Sequence, residues 1–402
     1  MNSFYASVEI MRNPALRGKP VAVCGSENER HGIVLAKSIE AKRAGVKTGM
    51  TNREAKELCP GLIILPPDYS QYVRFSNCAR EIYGRFTDYI EPFGMDECWL
   101  DVTDNAHGLQ GQQIADKIRN TVHDELGLTV SVGVSWNKIF AKLGSDMKKP
   151  DATTVISREN FMEKVWPLPV SDLLYAGPAT TKKLNRAGIR TIGDLAAADD
   201  IYIKKILGVN GLKLLYGARG EDSARVMHKD TVIPPKSVGH GVTCSRDLKS
   251  TAEVKQVILE LSQDIGRRLR EAGCLCSFVS LSIRLKDLSF TGAGTRLMQP
   301  VRSPLIISDT AFLIFASGFA DKLPVRQVTV TASELVPSDG AVQQSLFIDQ
   351  DYLSRLDRAE DAVYSLRKRF GKRAVIPLSL LKEDTVPFDG RDKVKMPSPM
   401  YR

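Results

Sequence analysis

The chain has 402 residues, of which 43% are hydrophobic and 26% charged, ordinary proportions for globular material and enough length for two to four domains with cores of their own. Its apolar runs fall far short of a membrane span and its start lacks the basic-then-apolar layout of a signal peptide, so the expected compartment is the cytosol and no membrane partner is expected. Residues 1–164 balance at 21 basic and 21 acidic side chains, whereas residues 165–402 hold 35 and 26 and carry the whole net charge of +9, which places any modules suited to a polyanion in the second part. Seven cysteines without a CxxC pair fit reduced core thiols, and five scattered histidines argue against zinc.

In chain order, Met1-Asn2-Ser3-Phe4-Tyr5-Ala6-Ser7-Val8-Glu9 starts straight into a helix, with no strand in front of it. Lys19–Val23 and Gly32–Ala36 read as strands, Ser38–Ala44 and a Thr51-capped stretch ending at Leu58 as helices, and Ile63–Leu65 as a strand closed by Pro66-Pro67. Helical spacing from Ser70 to Phe86 leads into Phe93-Gly94-Met95-Asp96-Glu97-Cys98-Trp99-Leu100-Asp101-Val102, an apolar run interrupted by two adjacent carboxylates. This stretch reads as two short strands meeting at a tight acidic turn, and the turn is a candidate metal site. Neighbours on a regular strand point to opposite faces, so Asp96 and Glu97 can serve one centre only if the backbone bends or the longer Glu reaches round. A solvated hairpin tip is the plainer reading of such a pair by itself. A helix at about 110–125, a strand at 129–134 and a helix from Trp136 to about Lys148 complete an α/β unit with its carboxylates expected on strands.

A helical section follows. Tyr175-Ala176-Gly177-Pro178-Ala179-Thr180-Thr181-Lys182-Lys183-Leu184 resembles a helix-hairpin-helix, in which a glycine turn aims backbone N–H groups and a helix N-terminus at a DNA phosphate. Gly177, Thr180, Lys182 and Lys183 are therefore the candidate DNA contacts. Ala179 stands where a second glycine is usual, and Leu207-Gly208-Val209-Asn210-Gly211 reads as a degenerate second copy. Past a stiff linker containing Pro234-Pro235-Lys236, the order strand (237–244), helix (252–272), strand (275–285), strand (295–298), helix (308–320), strand (327–335) is that of a ferredoxin-like sandwich with a polar sheet face. In the tail, Gln343, Leu346 and Phe347 form a short peptide of the kind that docks into a partner's pocket, followed by a helix at about 350–370.

Taken together, Asn2 to Glu9, Glu40-Ala41-Lys42 with Gly45-Val46-Lys47-Thr48-Gly49-Met50, Met95-Asp96-Glu97 with Leu100-Asp101-Val102-Thr103, Ser131-Val132-Gly133-Val134-Ser135 with Asn137-Lys138 and Phe140-Ala141-Lys142, and Ser145-Asp146-Met147-Lys148-Lys149-Pro150 resemble a Y-family translesion DNA polymerase over roughly residues 1–347. The layout is similar to that of the catalytic subunit of bacterial DNA polymerase V. The resemblance implies an α+β multidomain right hand: the start of palm and fingers in 1–66, palm in 67–165, a helix-hairpin-helix thumb in 166–229, a linker in 230–236, a ferredoxin-like little finger in 237–338 and a tail with a clamp-binding peptide in 339–402. It implies two-metal nucleotidyl transfer with two Mg²⁺ ions held at Asp96 and Glu97, with Met1 beside them. It further implies Tyr5 as a steric gate against the ribose 2′-OH, next to Phe4, and Lys42 and Lys149 as triphosphate ligands; Lys42 replaces a more usual Arg. Primer-template DNA, deoxynucleoside triphosphates, a sliding clamp and SOS accessory proteins are the implied partners.

One departure concerns the front. In the family a hydrophobic strand ending in a metal-bridging Asp precedes the segment that here begins at Met1. The expectation is that an internal Met has been taken as the start of a longer protein. The competing reading, from another class, is a catalytically impaired relative that only binds DNA or a clamp. A helix-hairpin-helix nuclease or glycosylase fits the thumb but not the segment around Tyr5.

Overall fold

The computed structural model describes all residues except 27–29, 31, 105–107, 341–346, 348 and 382–402. It divides into two units, one comprising Met1–Gly25 and Ile33–Val232 and the other running from Ile233.

The first unit opens with α1 (Phe4–Arg12), whose alternate residues Phe4, Ala6 and Val8 are buried. A three-stranded sheet follows in the order β2 (Val34–Lys37), β1 (Val21–Cys24), β3 (Ile63–Leu65), with β1 antiparallel to β2 and parallel to β3. Two short helices cover it. The first, α2 (Ile39–Arg43), is capped by the Ser38 side chain, and the second, α3 (Asn52–Leu58), by a reciprocal box between Thr51 and Glu54, which satisfies N–H groups that would otherwise lack partners. The long helix α4 (Tyr69–Tyr83) then runs to an antiparallel pair, β4 (Ile90–Pro92) and β5 (Cys98–Leu100). Beyond α5 (Gly111–Leu126), β6 (Val132–Val134) pairs in parallel with β7 (Thr153–Val155), and α6 (Lys138–Met147) lies between them in sequence. A Cβ at Gly133 would overlap the carbonyl oxygen of Ala141, so only glycine lets β6 lie this close to α6. Among the described residues β5 and β6 take no third strand, and a cavity of about 170 Å³ is lined by both.

The helices α7 (Phe161–Val165), α8 (Pro178–Arg186), α9 (Ile192–Ala196), α10 (Asp200–Leu207) and α11 (Val209–Ala218) complete the unit around Leu184, Ile192, Leu195, Ile203 and Leu215. The turn between α10 and α11 is Gly208 at φ 70°, a conformation costly for other residues.

In the second unit all four strands are antiparallel, in the order β10 (Phe290–Val301), β9 (Cys274–Leu285), β11 (Val325–Pro337), β8 (Ser237–Leu248). The helices α12 (Thr251–Glu271) and α13 (Pro304–Gly318) supply Val257, Leu261, Ile265, Ile307 and Phe315 to a core with Val279, Leu281, Ile283, Val328 and Val330 of the sheet. The βαββαβ order expected from the sequence is present, but β10 is three times the expected length. Its Gly292 and Gly294 lower β-propensity, yet a Cβ at Gly294 would strike the Phe278 ring of β9. A last helix, α14 (Gln350–Phe370), joins this unit through Arg270 of α12, whose guanidinium bonds Asp361 at 2.8 Å, Glu360 at 3.0 Å and Asp357 at 3.1 Å. Lys368 and Arg369 at its end are exposed. Among the described residues no helix is long and apolar enough to cross a membrane.

Candidate active site

The acidic pair lies, as the sequence suggests, in a tight turn between two short strands. Asp96 and Glu97 sit in the turn between β4 and β5, which Phe93 N–H closes onto the Glu97 carbonyl at 2.9 Å, and Gly94 at φ 132° gives the bend that brings both carboxylates to one cavity. The helix α4 grips this turn from behind: the Ser76 hydroxyl donates to the Met95 carbonyl, and Arg80 Nη2 donates to the Gly94 carbonyl at 3.1 Å. Below it, Phe93 packs 4.5 Å from Trp99 between ring centroids, and Trp99 Nε1–H donates to the carbonyl of Lys138 at 3.0 Å. The hairpin is thus pinned to α4 and α6 rather than being a free solvated tip.

The same cavity is lined by Met1, Lys142, Ser145 and Lys149. The Met1 amino group donates to the Asp96 carbonyl at 2.6 Å and lies 3.7 Å from Asp96 Oδ2; burial above all holds its pKa below that of an ordinary terminal amine. On α6, whose first turn is capped by the Asn137 side chain bonded to Phe140 N–H, Lys142 Nζ stands 2.8 Å from Glu97 Oε1 and 3.0 Å from Asp146 Oδ2. One turn on, Lys149 Nζ is 2.6 Å from Asp146 Oδ1. Burial works against the charge on Lys142, but its carboxylate partners outweigh it and leave the pKa above that of an ordinary lysine. For Asp146 the same contest ends below the usual carboxylate range, through its bonds to Lys149 and Lys142.

Tyr5 belongs to an aromatic cluster beside the turn. Its ring stacks on Tyr72 with centroids 4.1 Å apart and planes 8° apart, Tyr69 meets it edge-on at 6.1 Å, and Phe4 lies 5.6 Å away. Tyr72 is itself tied by its hydroxyl to Glu9 Oε1 at 2.7 Å. The Tyr5 hydroxyl points at Met95 Sδ, 3.4 Å away, and burial, with added repulsion from Tyr69 and Asp96, pushes its pKa up to about 12, so the ring is neutral at physiological pH. Lys42 is exposed in the last turn of α2, outside the lining of the cavity. Gly177 is the N-cap of α8, and Lys182 and Lys183 are exposed on that helix; the hydroxyl that ties the turn is that of Thr181, bonded to the Ala176 carbonyl at 3.1 Å, whereas Thr180 is half-buried. Gln343 and Leu346 lie outside the described residues, and Phe347 is 92% exposed.

Lys142 and Asp146 were not singled out as site residues from the sequence, although their i, i+4 spacing on a helix is a signal that could have drawn attention to them. The donor set at the turn consists of hard carboxylate oxygens on two half-open side chains, which fits a divalent cation of the magnesium kind. Among the described residues no group of three acidic, His or Cys side chains gathers there.

Residues 1–146 match the model of the impB/mucB/samB family, and residues 235–346 match its C-terminal domain. The chain is 45% identical to DNA polymerase IV of Acetivibrio thermocellus, over 93% of this chain and 94% of that protein. It is 40% identical to DNA polymerase IV of Moorella thermoacetica, over 93% of each, and 36% identical to DNA polymerase IV 1 of Bacillus subtilis, over 96% of this chain and 92% of the relative. Among solved structures, a Y-family DNA polymerase chimera of Dbh and Dpo4 superposes with a TM-score of 0.73 at 24% identity, covering 84% of this chain and 97% of that one, a likeness of fold. These relatives carry the name polymerase IV, so the likeness to the polymerase V subunit is secondary to the shared family.

Proposed function

This chain belongs to the Y-family of DNA polymerases, and from that premise we propose how its residues divide the work of template-directed DNA synthesis past damaged bases. It is a DNA-directed DNA polymerase whose substrates are DNA and deoxynucleoside triphosphates. The observation that carries the assignment of residues is the single cavity on which Asp96, Glu97, Lys149 and Met1 converge, beside the Tyr5 ring.

Asp96 and Glu97 would hold divalent ions, Mg²⁺ on account of the oxygen donors, and those ions when bound supply charge for the attacking primer oxygen and the leaving pyrophosphate. The remaining work belongs to the chain itself. Lys149 and Lys42 act as point charges on the triphosphate, without the bidentate fork an arginine would offer. Ser76 and Arg80 keep the acidic turn in one geometry, so its carboxylates need no reorganisation during transfer. Tyr5, backed by Tyr72, blocks the space beside the sugar that a 2′-OH would occupy. We assign fingers and palm to residues 1–165, the thumb to 166–229 and the little finger to 237–338, with the Gly177 turn and Lys182 and Lys183 on duplex phosphates.

Tyr5→Ala will let ribonucleotides in: discrimination against CTP relative to dCTP will fall at least tenfold to a hundredfold, the scale set by removing a few buried groups from a pocket. Single-nucleotide insertion kinetics check this, and an unchanged sugar preference would remove Tyr5 from the role. Gln343, Leu346 and Phe347 are proposed to dock on the sliding clamp. Leu346→Ala and Phe347→Ala together will weaken clamp binding by more than tenfold, as loss of two apolar anchors does at an interface, and surface plasmon resonance on immobilised clamp will show it; an intact signal would sink the peptide assignment.

A further inference from the structure

Glu97, Lys142, Asp146 and Lys149 form a row of alternating charge. Lys142 Nζ is shared between Glu97 Oε1 at 2.8 Å and both oxygens of Asp146 at 3.0 and 3.3 Å, while Asp146 Oδ1 also holds Lys149 Nζ at 2.6 Å. The side chain of Lys142 is mostly buried and that of Lys149 about one-third exposed, so Lys142 is the more confined member of the row. Ser145 sits beside them, and its hydroxyl donates to the Lys142 carbonyl at 2.7 Å rather than to any of the four charged groups.

We propose that Asp146 is a positioning residue that parks the triphosphate lysine, Lys149, and that Lys142, shared between Glu97 and Asp146, competes with Lys149 for Asp146 the more strongly the less Glu97 holds it. Two cations cannot share Glu97 Oε1 at contact distance without strong repulsion. Were Glu97 engaged by a divalent ion, Lys142 would be left to its other partner, Asp146, one turn away on the same face of α6 and already 3.0 Å from its ammonium. The hold of Asp146 on Lys149 would then weaken and free Lys149 for a triphosphate. Metal and nucleotide thereby favour one another's binding through this chain's side chains, over and above the charge the metal brings to the phosphates. The inference rests on the assignment of Lys149 to the triphosphate made above.

The test is the affinity of the full chain for a mant-labelled dATP, measured by fluorescence in EDTA and again in Ca²⁺, which supports binding without turnover. Asp146→Asn keeps the shape of the side chain and removes the parking charge. It is expected to bind the nucleotide roughly threefold tighter than the unaltered chain in EDTA, the scale of a half-exposed ion pair, and the difference is expected to shrink in Ca²⁺. Lys142→Met leaves Asp146 wholly to Lys149, so binding in EDTA should fall and Ca²⁺ should improve it less than in the unaltered chain. Lys149→Ala is the control. If Lys149→Ala weakens binding in both media while Asp146→Asn leaves metal-free binding unchanged or weaker, parking by Asp146 is overturned and the triphosphate assignment stands. If Lys149→Ala changes nothing, both fall together.

Discussion

Asp96→Ala will reduce nucleotide incorporation at least a thousandfold while the fold survives. The side chain lies at the rim of a cavity and donates nothing to the core, and the turn that carries it is held by backbone groups: Met95 and Gly94 carbonyls bonded to Ser76 and Arg80, and the Phe93–Glu97 closure. Its removal therefore leaves packing intact and takes away one of two carboxylates available to a divalent ion. Loss of such a charge at a phosphoryl-transfer centre costs about 4 kcal/mol in the transition state, and each ~1.4 kcal/mol is tenfold in rate. Single-turnover primer extension with Mg²⁺ measures the loss, and circular dichroism melting verifies the fold. Activity within tenfold of the unaltered chain would show that the metal is held elsewhere.

The second large effect is a gain. Fusing about six apolar residues and a terminal Asp in front of Met1 is expected to raise primer extension roughly a hundredfold and to stabilise the first unit. The Met1 nitrogen already touches the Asp96 carbonyl, so a residue joined to it is placed at the metal ligands, where a further carboxylate adds a bridge. The strand itself has a place to go. Among the described residues the β4–β5 and β6–β7 pairs are separate two-stranded pieces whose strands β5 and β6 line one cavity, so an added apolar strand has edges to pair with beside it. Each kcal/mol so gained raises the melting temperature by about 2–4 °C for a unit of this size. A fusion ending in Ala instead of Asp separates the two contributions: it should gain the stability and not the rate. Equal rates for the Asp and Ala fusions would refute the added carboxylate, and an unchanged melting temperature in both would refute strand insertion.

Much of the site's chemistry could be read locally. The Asp96-Glu97 pair could be read from its own residues as a candidate metal site, whereas Tyr5 and Lys149 entered through the resemblance of their segments to the family; the cavity gathers Asp96, Glu97 and Lys149. The acidic turn between two short strands was legible in the sequence, as was the need for a bend if both carboxylates are to serve one centre; the structure supplies that bend at Gly94, whose φ is 132°. The strand β10 was expected over 295–298 alone; its extension carries Gly292 and Gly294, where the Leu281 backbone and the Phe278 ring across the sheet leave no room for a Cβ. Asp146 drew no separate notice because its partners are set by three dimensions: Glu97, to which it is linked through Lys142, lies almost fifty residues away.

Composition, charge distribution and the order of helices and strands were determined by the sequence alone, because periodicity, caps and turn residues act over a few positions and need no distant partner. Which charges face one another was decided by the tertiary structure. The pinning of the acidic turn by Ser76 and Arg80, the stacking of Tyr5 on Tyr72 and the row from Glu97 to Lys149 each join segments that are separate in the chain, and a Coulomb or stacking energy depends on a distance that no local pattern contains.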